Sequence, residues 1–516
     1  MTNHARLPRR QLLAASTAAV TTAVTAAALS ASCSSSGGSA DAPRVPTPTR
    51  SAVRAAPPES LPPNILLFTL DDMAASTPGC FGGRSDVTPT LDGLAAEGMT
   101  FHQAHVPVAV CAPSRAALMT GLYPHRSGAV GFGPVADDVP LLTDLLYERG
   151  YLTGILGKLG HLDPVSRYRW DLARDNTDLG LGRSPERYAQ QANGLFDRAA
   201  SERRPFFLMV NAHDPHRPFH GSREERDTYT PAQLADVSRP SMTFTEREAD
   251  VPGYLDDLAG VRTELAQYQS SCRRADDTLA AVLTALDAAG LTENTVVAVF
   301  SDNGMAFPFA KANCYQQSTR SPLVMRWPGV VPQGRADSRH FVSTLDLFPT
   351  LCRAAGVSAP DDLDGADLTP LLTGDADRGG APGRDRVHTV FHETSSGERF
   401  EMRATHDERW SYIWNAWSDG ERAWRNMSVD GEAWSAMRSA AATNRSLASR
   451  VDFFLRRAPE ELYDLSADPD ARTNLASAPR AREILHQRRT ITHNWMRRTG
   501  DPLRNRYLET VIRSAG

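Results

Sequence analysis

Asn64-Ile65-Leu66-Leu67-Phe68-Thr69-Leu70-Asp71-Asp72 is the stretch on which the fold turns. Seven uncharged residues, most of them large and apolar, describe a strand covered on both faces, as in the middle of a parallel sheet. The run then stops on two carboxylates. The pattern returns in Tyr151-Leu152-Thr153-Gly154-Ile155-Leu156, which leads into Gly157-Lys158, and in Phe206-Phe207-Leu208-Met209-Val210-Asn211, which leads into His213-Asp214-Pro215-His216. It appears again in Thr295-Val296-Val297-Ala298-Val299-Phe300-Ser301, which leads into Asp302-Asn303-Gly304. Ligands of an open α/β sheet bind beyond the carboxyl ends of its strands, so these polar groups are expected to meet at one edge. Between the runs the apolar period is helical, for example over Asp276 to Gly290, where Leu279, Val282, Leu283 and Leu286 share a face. The fold class is α/β.

Any one aspartate after a strand is more often a turn residue or a helix cap. Two oxygen-bearing pairs at two strand ends, Asp71-Asp72 and Asp302-Asn303, are what a hard divalent cation such as Ca²⁺ or Mg²⁺ requires. Lys158, His161, His216 and Lys311 follow strands or lie near the Asp302 loop, and supply cationic or proton-carrying groups.

A second stretch, Val110-Cys111-Ala112-Pro113-Ser114-Arg115 through Gly121 to Tyr123-Pro124-His125, places a cysteine beside a proline suited to the first turn of a helix. The helix is expected to start at Pro113. Its free N–H groups would point back toward Cys111 and favour an anion there, with Arg115 adding charge. A cysteine taken alone is more often a buried, inert thiol.

The 516 residues are 41% hydrophobic and 23% charged with a net charge of −5, a balance that fits a large globular enzyme and supplies no basic excess for a nucleic-acid partner. Residues 1–33 read as an export segment. Arg9-Arg10 precedes an alanine-rich apolar run to Leu29, which suggests twin-arginine export, with secretion or lipid attachment at Cys33 as the two outcomes. Residues 34–62 read as a flexible tether. Cys80, Cys272, Cys314 and Cys352 lack metal-site spacing, which speaks against zinc and leaves a disulfide among them open.

The motif Cys-x-Pro-Ser-Arg, with the following Leu-x-Thr-Gly and Pro-His, resembles the signature of type I sulfatases of the alkaline phosphatase superfamily. The resemblance implies a large mixed, mostly parallel sheet flanked by helices over 63–372. It also implies that a formylglycine-generating enzyme oxidises Cys111 to formylglycine, whose hydrate attacks sulfur and passes through a covalent sulfo-enzyme. Asp71, Asp72, Asp302 and Asn303 would hold Ca²⁺ together with residue 111, with Mg²⁺ the lesser choice. Arg115 and His125 would hold and activate the hydrate, Lys158 and Lys311 would hold sulfate oxygens, and His216 would protonate the leaving group.

Gly157-Lys158-Leu159-Gly160-His161 resembles the family's Gly-Lys-x-His with the histidine one position late, which makes His161 a substrate-binding candidate. His213-Asp214-Pro215-His216-Arg217-Pro218 resembles its substrate-binding Pro-His-x-Pro, where His213 is either a second substrate contact or the residue that sets the loop. Together with Asn313-Cys314-Tyr315 and Thr499-Gly500-Asp501-Pro502, this motif looks most like the N-sulfatase (sulfamidase) branch. The resemblance thus points to a sulfate ester or N-sulfo group on a sulfated carbohydrate. A phosphonate or phosphate ester hydrolase, a thiol enzyme and a non-catalytic glycan-binding surface protein are the alternatives. Specificity is expected from the loops Asp163 to Arg187 and His220 to Tyr254.

From about Thr373 the pattern shortens and alternates, as in Glu401 to Thr405 and Arg409 to Trp414, which predicts antiparallel strands in a smaller α+β region over 373–516. Its last helix should bury Ile484, Ile491 and Trp495, with its arginines solvated.

Overall fold

A computed structural model describes residues 61–375 and 383–513. The export segment expected over 1–33, and the tether up to residue 60, lie outside the described residues. In chain order the strands are β1 (Asn64–Leu70), β2 (Met99–Phe101), β3 (Ala104–His105), β4 (Leu152–Leu156), β5 (Leu172–Arg174), β6 (Phe206–Asn211), β7 (Thr295–Ser301), β8 (Leu323–Arg326), β9 (Arg335–Asp337), β10 (Val342–Ser343), β11 (Arg386–Glu393), β12 (Arg399–Asp407), β13 (Trp410–Asn415) and β14 (Glu460–Asp464). Eight of them form one sheet in the order β5-β4-β6-β1-β7-β8-β2-β9, while β3 and β10 pair separately. β1 runs parallel to both neighbours, with Ile65 opposite Phe207 of β6 and Val296 of β7, and β4 runs parallel to β6. β8 is antiparallel to β7 and β2, so the sheet is mixed but mostly parallel.

The uniform apolar character of β1 follows from its place. Successive side chains leave a strand on opposite faces. Leu66, Phe68 and Leu70 enter the core shared with the helices Pro185–Glu202 and Ala259–Ala288. Ile65 and Leu67 enter the core shared with Cys111–Thr120 and Leu347–Ala355. Truncating any of these leucines to alanine would cost roughly 2–5 kcal/mol.

Three expectations shift. The helix read over Asp276 to Gly290 spans Ala259–Ala288. Its earlier turns bury Glu264 and Arg274 among the apolar residues, and those charges hid the helical period. The helix read from Pro113 begins at Cys111, with Val110 as N-cap. Pro113 is its third residue, still within the turn whose N–H groups lack an intrahelical acceptor.

The third shift concerns the last helix, Arg482–Arg498, which buries Leu485, Arg488, Thr492, Trp495 and Met496. Ile484 and Ile491 are only half-buried. Arg488 and Arg489 are not solvated but pair with Asp407 and Glu460.

β11, β12, β13 and β14 form a four-stranded antiparallel sheet, as expected for the C-terminal region. It is packed into the same core: Phe391, Phe400 and Met402 share a cluster with Leu66 and Phe68. The Thr499-Gly500-Asp501 turn is pinned to β12 by a fully buried ion pair between Asp501 and Arg403. Cys80, Cys111, Cys272, Cys314 and Cys352 are all free thiols.

Candidate active site

The carboxyl ends of four adjacent strands, β4, β6, β1 and β7, deliver Lys158, His213 and His216, Asp71 and Asp72, and Asp302 and Asn303. Cys111 comes from the first turn of its helix. Arg115 lies four residues on, hence on the same face. The turn after β1 is held in an uncommon backbone: Asp72 has φ 71, in the left-handed region. Ser301 Oγ and Asp302 Oδ1 fix it by accepting the N–H groups of Met73 (2.8 Å) and Asp72 (3.2 Å). Lys158, Phe309 and Ala312 are also left-handed, so among the described residues four of the seven non-glycine positions with positive φ lie at this edge. Strain of this kind concentrates at functional sites. Gly157 permits the turn out of β4, because a Cβ there would stand 2.4 Å from the carbonyl oxygen of Asn211.

At the centre, Cys111 Sγ lies 3.3 Å from Asp71 Oδ1 and 3.7 Å from Asn303 Oδ1. The Nζ of Lys311 is 3.5 Å from the same sulfur and 2.5 Å from Asp72 Oδ1, which also accepts Asn303 Nδ2 at 2.6 Å. Lys158 pairs with Asp71 Oδ2. Arg115 donates to Asp302 Oδ2 at 2.7 Å and to Asn211, the last residue of β6. Three carboxylates, of Asp71, Asp72 and Asp302, thus face three fixed cations, Arg115, Lys158 and Lys311, and all six side chains are nearly or fully inaccessible.

Burial drives the acids upward and the cations oppose it. For Asp71 the burial effect is outweighed by Lys158, His216 and Arg115, which hold the carboxyl well below its usual range. Burial prevails at Asp72, which is raised. At Asp302, burial and the neighbouring Asp71 push the group up to about 7 despite Arg115. The Cys111 thiol is pushed far above its usual range by burial and then by Asp71, so it is held as S–H rather than thiolate. That counts against a thiol enzyme, whose nucleophile is the thiolate.

One ligand atom each from Asp71, Asp72, Cys111 and His216 lies within 4.8 Å of the others, a group that could hold a metal ion. The set adds His216 to Asp71, Asp72 and Cys111, which are expected at the metal together with Asp302 and Asn303. Those two stand alongside, Asp302 turned to Arg115 and Asn303 directed at both Asp72 and Cys111. Asp72 Oδ2 is buried and accepts no hydrogen bond among the described residues. An orphaned carboxylate oxygen within an oxygen-rich group fits a hard divalent cation and is a poor match for a thiol-centred site.

His216 uses Nδ1 on the carbonyl of Arg217 at 2.6 Å, which leaves Nε2 facing Asp72 Oδ2 at 4.0 Å. Burial together with Lys311 and Lys158 holds it well below the usual histidine range. His213 lies beside it, the two rings tilted by 33° with centroids 5.0 Å apart, and its Nδ1 meets Asn176 Nδ2 at 3.5 Å. His161 ends the short turn Leu159–His161, which takes up its one-residue displacement. Burial and Lys158 lower its pKa to about 3, so it borders the same charge cluster. His125 stands apart: its ring packs against Tyr123, His392 and Trp495, and among the described residues no hydrogen bond, ion pair or ring contact joins it to Cys111.

Sequence reasoning missed the supports of these groups. Asp214 takes Arg274 at 2.6 and 3.0 Å and Arg183 at 3.3 Å in a buried network that fixes the histidine loop. The Lys311 carbonyl accepts Asn313 Nδ2 (2.9 Å) and Asn426 Nδ2 (3.1 Å). Asn313 in turn holds Arg457, whose partner is Glu461 of β14, so the C-terminal sheet positions Lys311. A cavity of about 680 Å³ opens beside Cys111 and Lys311, with Phe132, Thr394, Trp424 and Trp434 among its walls. Neither loop expected to set specificity, Asp163 to Arg187 or His220 to Tyr254, contributes a lining residue.

A mixed sheet with a cluster of carboxylates and cations beyond its central parallel strands defines a hydrolase of the alkaline phosphatase superfamily. Within it the chain belongs to the sulfatase family, the sulfuric ester hydrolases: the family's model matches residues 63–357. A second model, described as N-sulphoglucosamine sulphohydrolase, C-terminal, matches residues 305–421. Human N-sulphoglucosamine sulphohydrolase is 29% identical over 468 residues, covering 86% of this chain and 91% of that protein. An ulvan-active sulfatase of Formosa agariphila is 26% identical over 452 residues, covering 86% and 81%.

Among solved structures, a protein in complex with its substrate D-glucosamine-2-N,6-O-disulfate aligns with a TM-score of 0.62 at 17% identity, over 86% of this chain and 99% of that one. A phosphonate monoester hydrolase of Agrobacterium radiobacter aligns with a TM-score of 0.58 at 20% identity, over 85% and 95%. At these identities both show a common fold.

Proposed function

We propose that the protein hydrolyses a sulfate ester or N-sulfo group on a sulfated carbohydrate, with residue 111 acting as formylglycine. The observation that carries this reading is the setting of Cys111, a thiol held protonated between carboxylates, an amide oxygen and an ammonium group. Those partners suit an oxygen nucleophile. Formylglycine at 111 would supply one, and a divalent cation, Ca²⁺ in our reading, held by Asp71, Asp72, Asp302 and Asn303 with residue 111, would supply fixed positive charge against the sulfate oxygens.

The chain's own residues account for the rest. Lys311 and Lys158 sit where sulfate oxygens would come against the nucleophile, and being buried they act without strong solvent screening. Arg115 neutralises Asp302 and ties the nucleophile's helix to β6 and β7. His216, with Nδ1 committed to a carbonyl, has only Nε2 free to hold or move a proton toward the leaving group. A sulfated sugar as substrate is supported by the names of the relatives, a sulphoglucosamine sulphohydrolase and an ulvan-active sulfatase. The twin-arginine segment would place this chemistry outside the cytoplasm, secreted or anchored through Cys33.

The test compares turnover of an aryl sulfate, glucosamine N-sulfate and a phosphodiester by protein made together with a formylglycine-generating enzyme. Preference for either sulfated compound supports the reading. Preference for the phosphodiester transfers the site to phosphate or phosphonate ester hydrolysis.

A further inference from the structure

The cavity beside Cys111 is not lined evenly. Its inner end holds Cys111 and Lys311, whereas its outer wall carries Arg425 and Arg438 from the C-terminal region. Both arginines are exposed, and among the described residues neither has a hydrogen-bond or ion-pair partner. This is uncommon in a chain whose other site cations, Arg115, Lys158 and Lys311, are all paired with carboxylates. Two acids share the wall. Glu398 is already matched to Arg422 at 3.3 Å, and Asp430 is in ion-pair contact with neither arginine.

The wall is built rather than incidental. Trp424, fully buried against Phe391, Phe400 and Trp417, anchors the backbone from which Arg425 projects. The next residue, Asn426, donates to the carbonyl of Lys311, so the Arg425 segment is tied to the loop that carries the inner cation. Arg438 lies one turn after Trp434 on the helix Glu432–Ala441, and both face the cavity. Phe132, 40% exposed, offers an aromatic face to the same space. With about 680 Å³ available, the cavity exceeds what a sulfate group alone would fill.

We infer that Arg425 and Arg438 bind a second anionic group of the substrate, a sulfate or carboxylate on the same sugar or its neighbour, and so select polyanionic over singly charged sulfated sugars. Guanidinium groups suit this task because they present planar paired donors to either oxyanion. The inference rests on the sulfatase reading above, and the experiment separates the two.

Hydrolysis of an aryl sulfate serves as the reporter, and three compounds compete with it: glucosamine N-sulfate, glucosamine-2-N,6-O-disulfate, and a disaccharide in which the N-sulfated sugar is joined to a uronate. A wild-type protein without sulfatase turnover would remove the underlying reading. Given turnover, at least one doubly charged competitor should bind about tenfold or more tightly than glucosamine N-sulfate. That ratio should fall toward one in R425A/R438A and be steeply reduced by salt in the wild type. Equal binding of all three compounds by the wild type, or a ratio that survives in R425A/R438A, would overturn the assignment.

Discussion

The ammonium of Lys311 stands 3.5 Å from the sulfur of Cys111, in a fully buried setting. The lysine has nearby carboxylates to answer, chiefly Asp72, and these keep it charged despite burial. A permanent cation within contact of the reacting residue is suited to an oxyanion that binds there. It favours a thiolate too, but burial and Asp71 outweigh it and keep the thiol protonated.

Replacing that lysine should therefore affect catalysis and stability separately. Lys311→Ala is expected to lower kcat/KM for an aryl sulfate by about 10²–10³-fold. It also leaves Asp72 buried without its cation, which would destabilise the metal-free fold by roughly 3–5 kcal/mol. Steady-state kinetics and urea unfolding read the two effects. A loss below tenfold in kcat/KM would remove Lys311 from the site.

Metal removal is the second test. If the orphaned oxygen of Asp72 belongs to a cation shell, chelation should abolish turnover and lower Tm, and added Ca²⁺ should restore both. At about a hundred times its Kd the ion would stabilise the fold by about 2.7 kcal/mol. Asp72→Asn should remove the Ca²⁺-dependent shift in Tm. An active protein whose Tm ignores both chelator and Ca²⁺ would contradict the metal assignment.

The buried network under the histidine loop offers a stability prediction. Asp214 accepts two bonds from Arg274, and both side chains are buried. Asp214→Ala leaves buried Arg183 with the carbonyls of His216 and Pro218 and leaves Arg274 with the Ser238 carbonyl and a longer pairing to Glu225 at 3.9 Å. It should cost about 3 kcal/mol, seen as a fall in the urea midpoint at unchanged slope. Adding Arg274→Met to it should recover part of the loss, giving a coupling of the size expected for residues in contact. Strict additivity of the two changes would show that the pair is not coupled.

The pH dependence has a marker outside the site. Asp276 accepts the N–H groups of Thr90 and Leu91, both at 2.9 Å, and burial pushes its pKa up to about 6 from the ordinary carboxyl value of 3.8. A raised carboxyl pKa means that the folded state binds the proton more tightly than the unfolded chain. The contribution is complete below about pH 3.8 and is lost as pH rises through about 6. Relative to Asp276→Asn, the wild type should lose roughly 3 kcal/mol of stability across that interval. Parallel stability curves for the two proteins would contradict the shift.

Most of the inner site was legible in the sequence because it lies directly after buried strands. An uninterrupted apolar run followed by Asp71-Asp72 or Asp302-Asn303 marks both the strand and the edge at which it ends. The outer cavity was not legible. Arg425 and Arg438 follow no strand, and only the packing of Trp424 and the Asn426 bond to Lys311 place them there. Helix boundaries failed where buried ion pairs interrupted the apolar stripe, as at Glu264 and Arg274. His125 shows the limit of motif reasoning. It lies only four residues beyond Gly121, yet the left-handed turn there and Pro124 carry its ring into the aromatic cluster around Trp495.

The central claim is that residue 111 does not act as cysteine. Mass spectrometry of the peptide containing it, from active protein produced with a formylglycine-generating enzyme, should show the aldehyde or its hydrate in place of the thiol, in proportion to specific activity. Full activity in protein whose residue 111 is entirely unmodified cysteine would contradict the account.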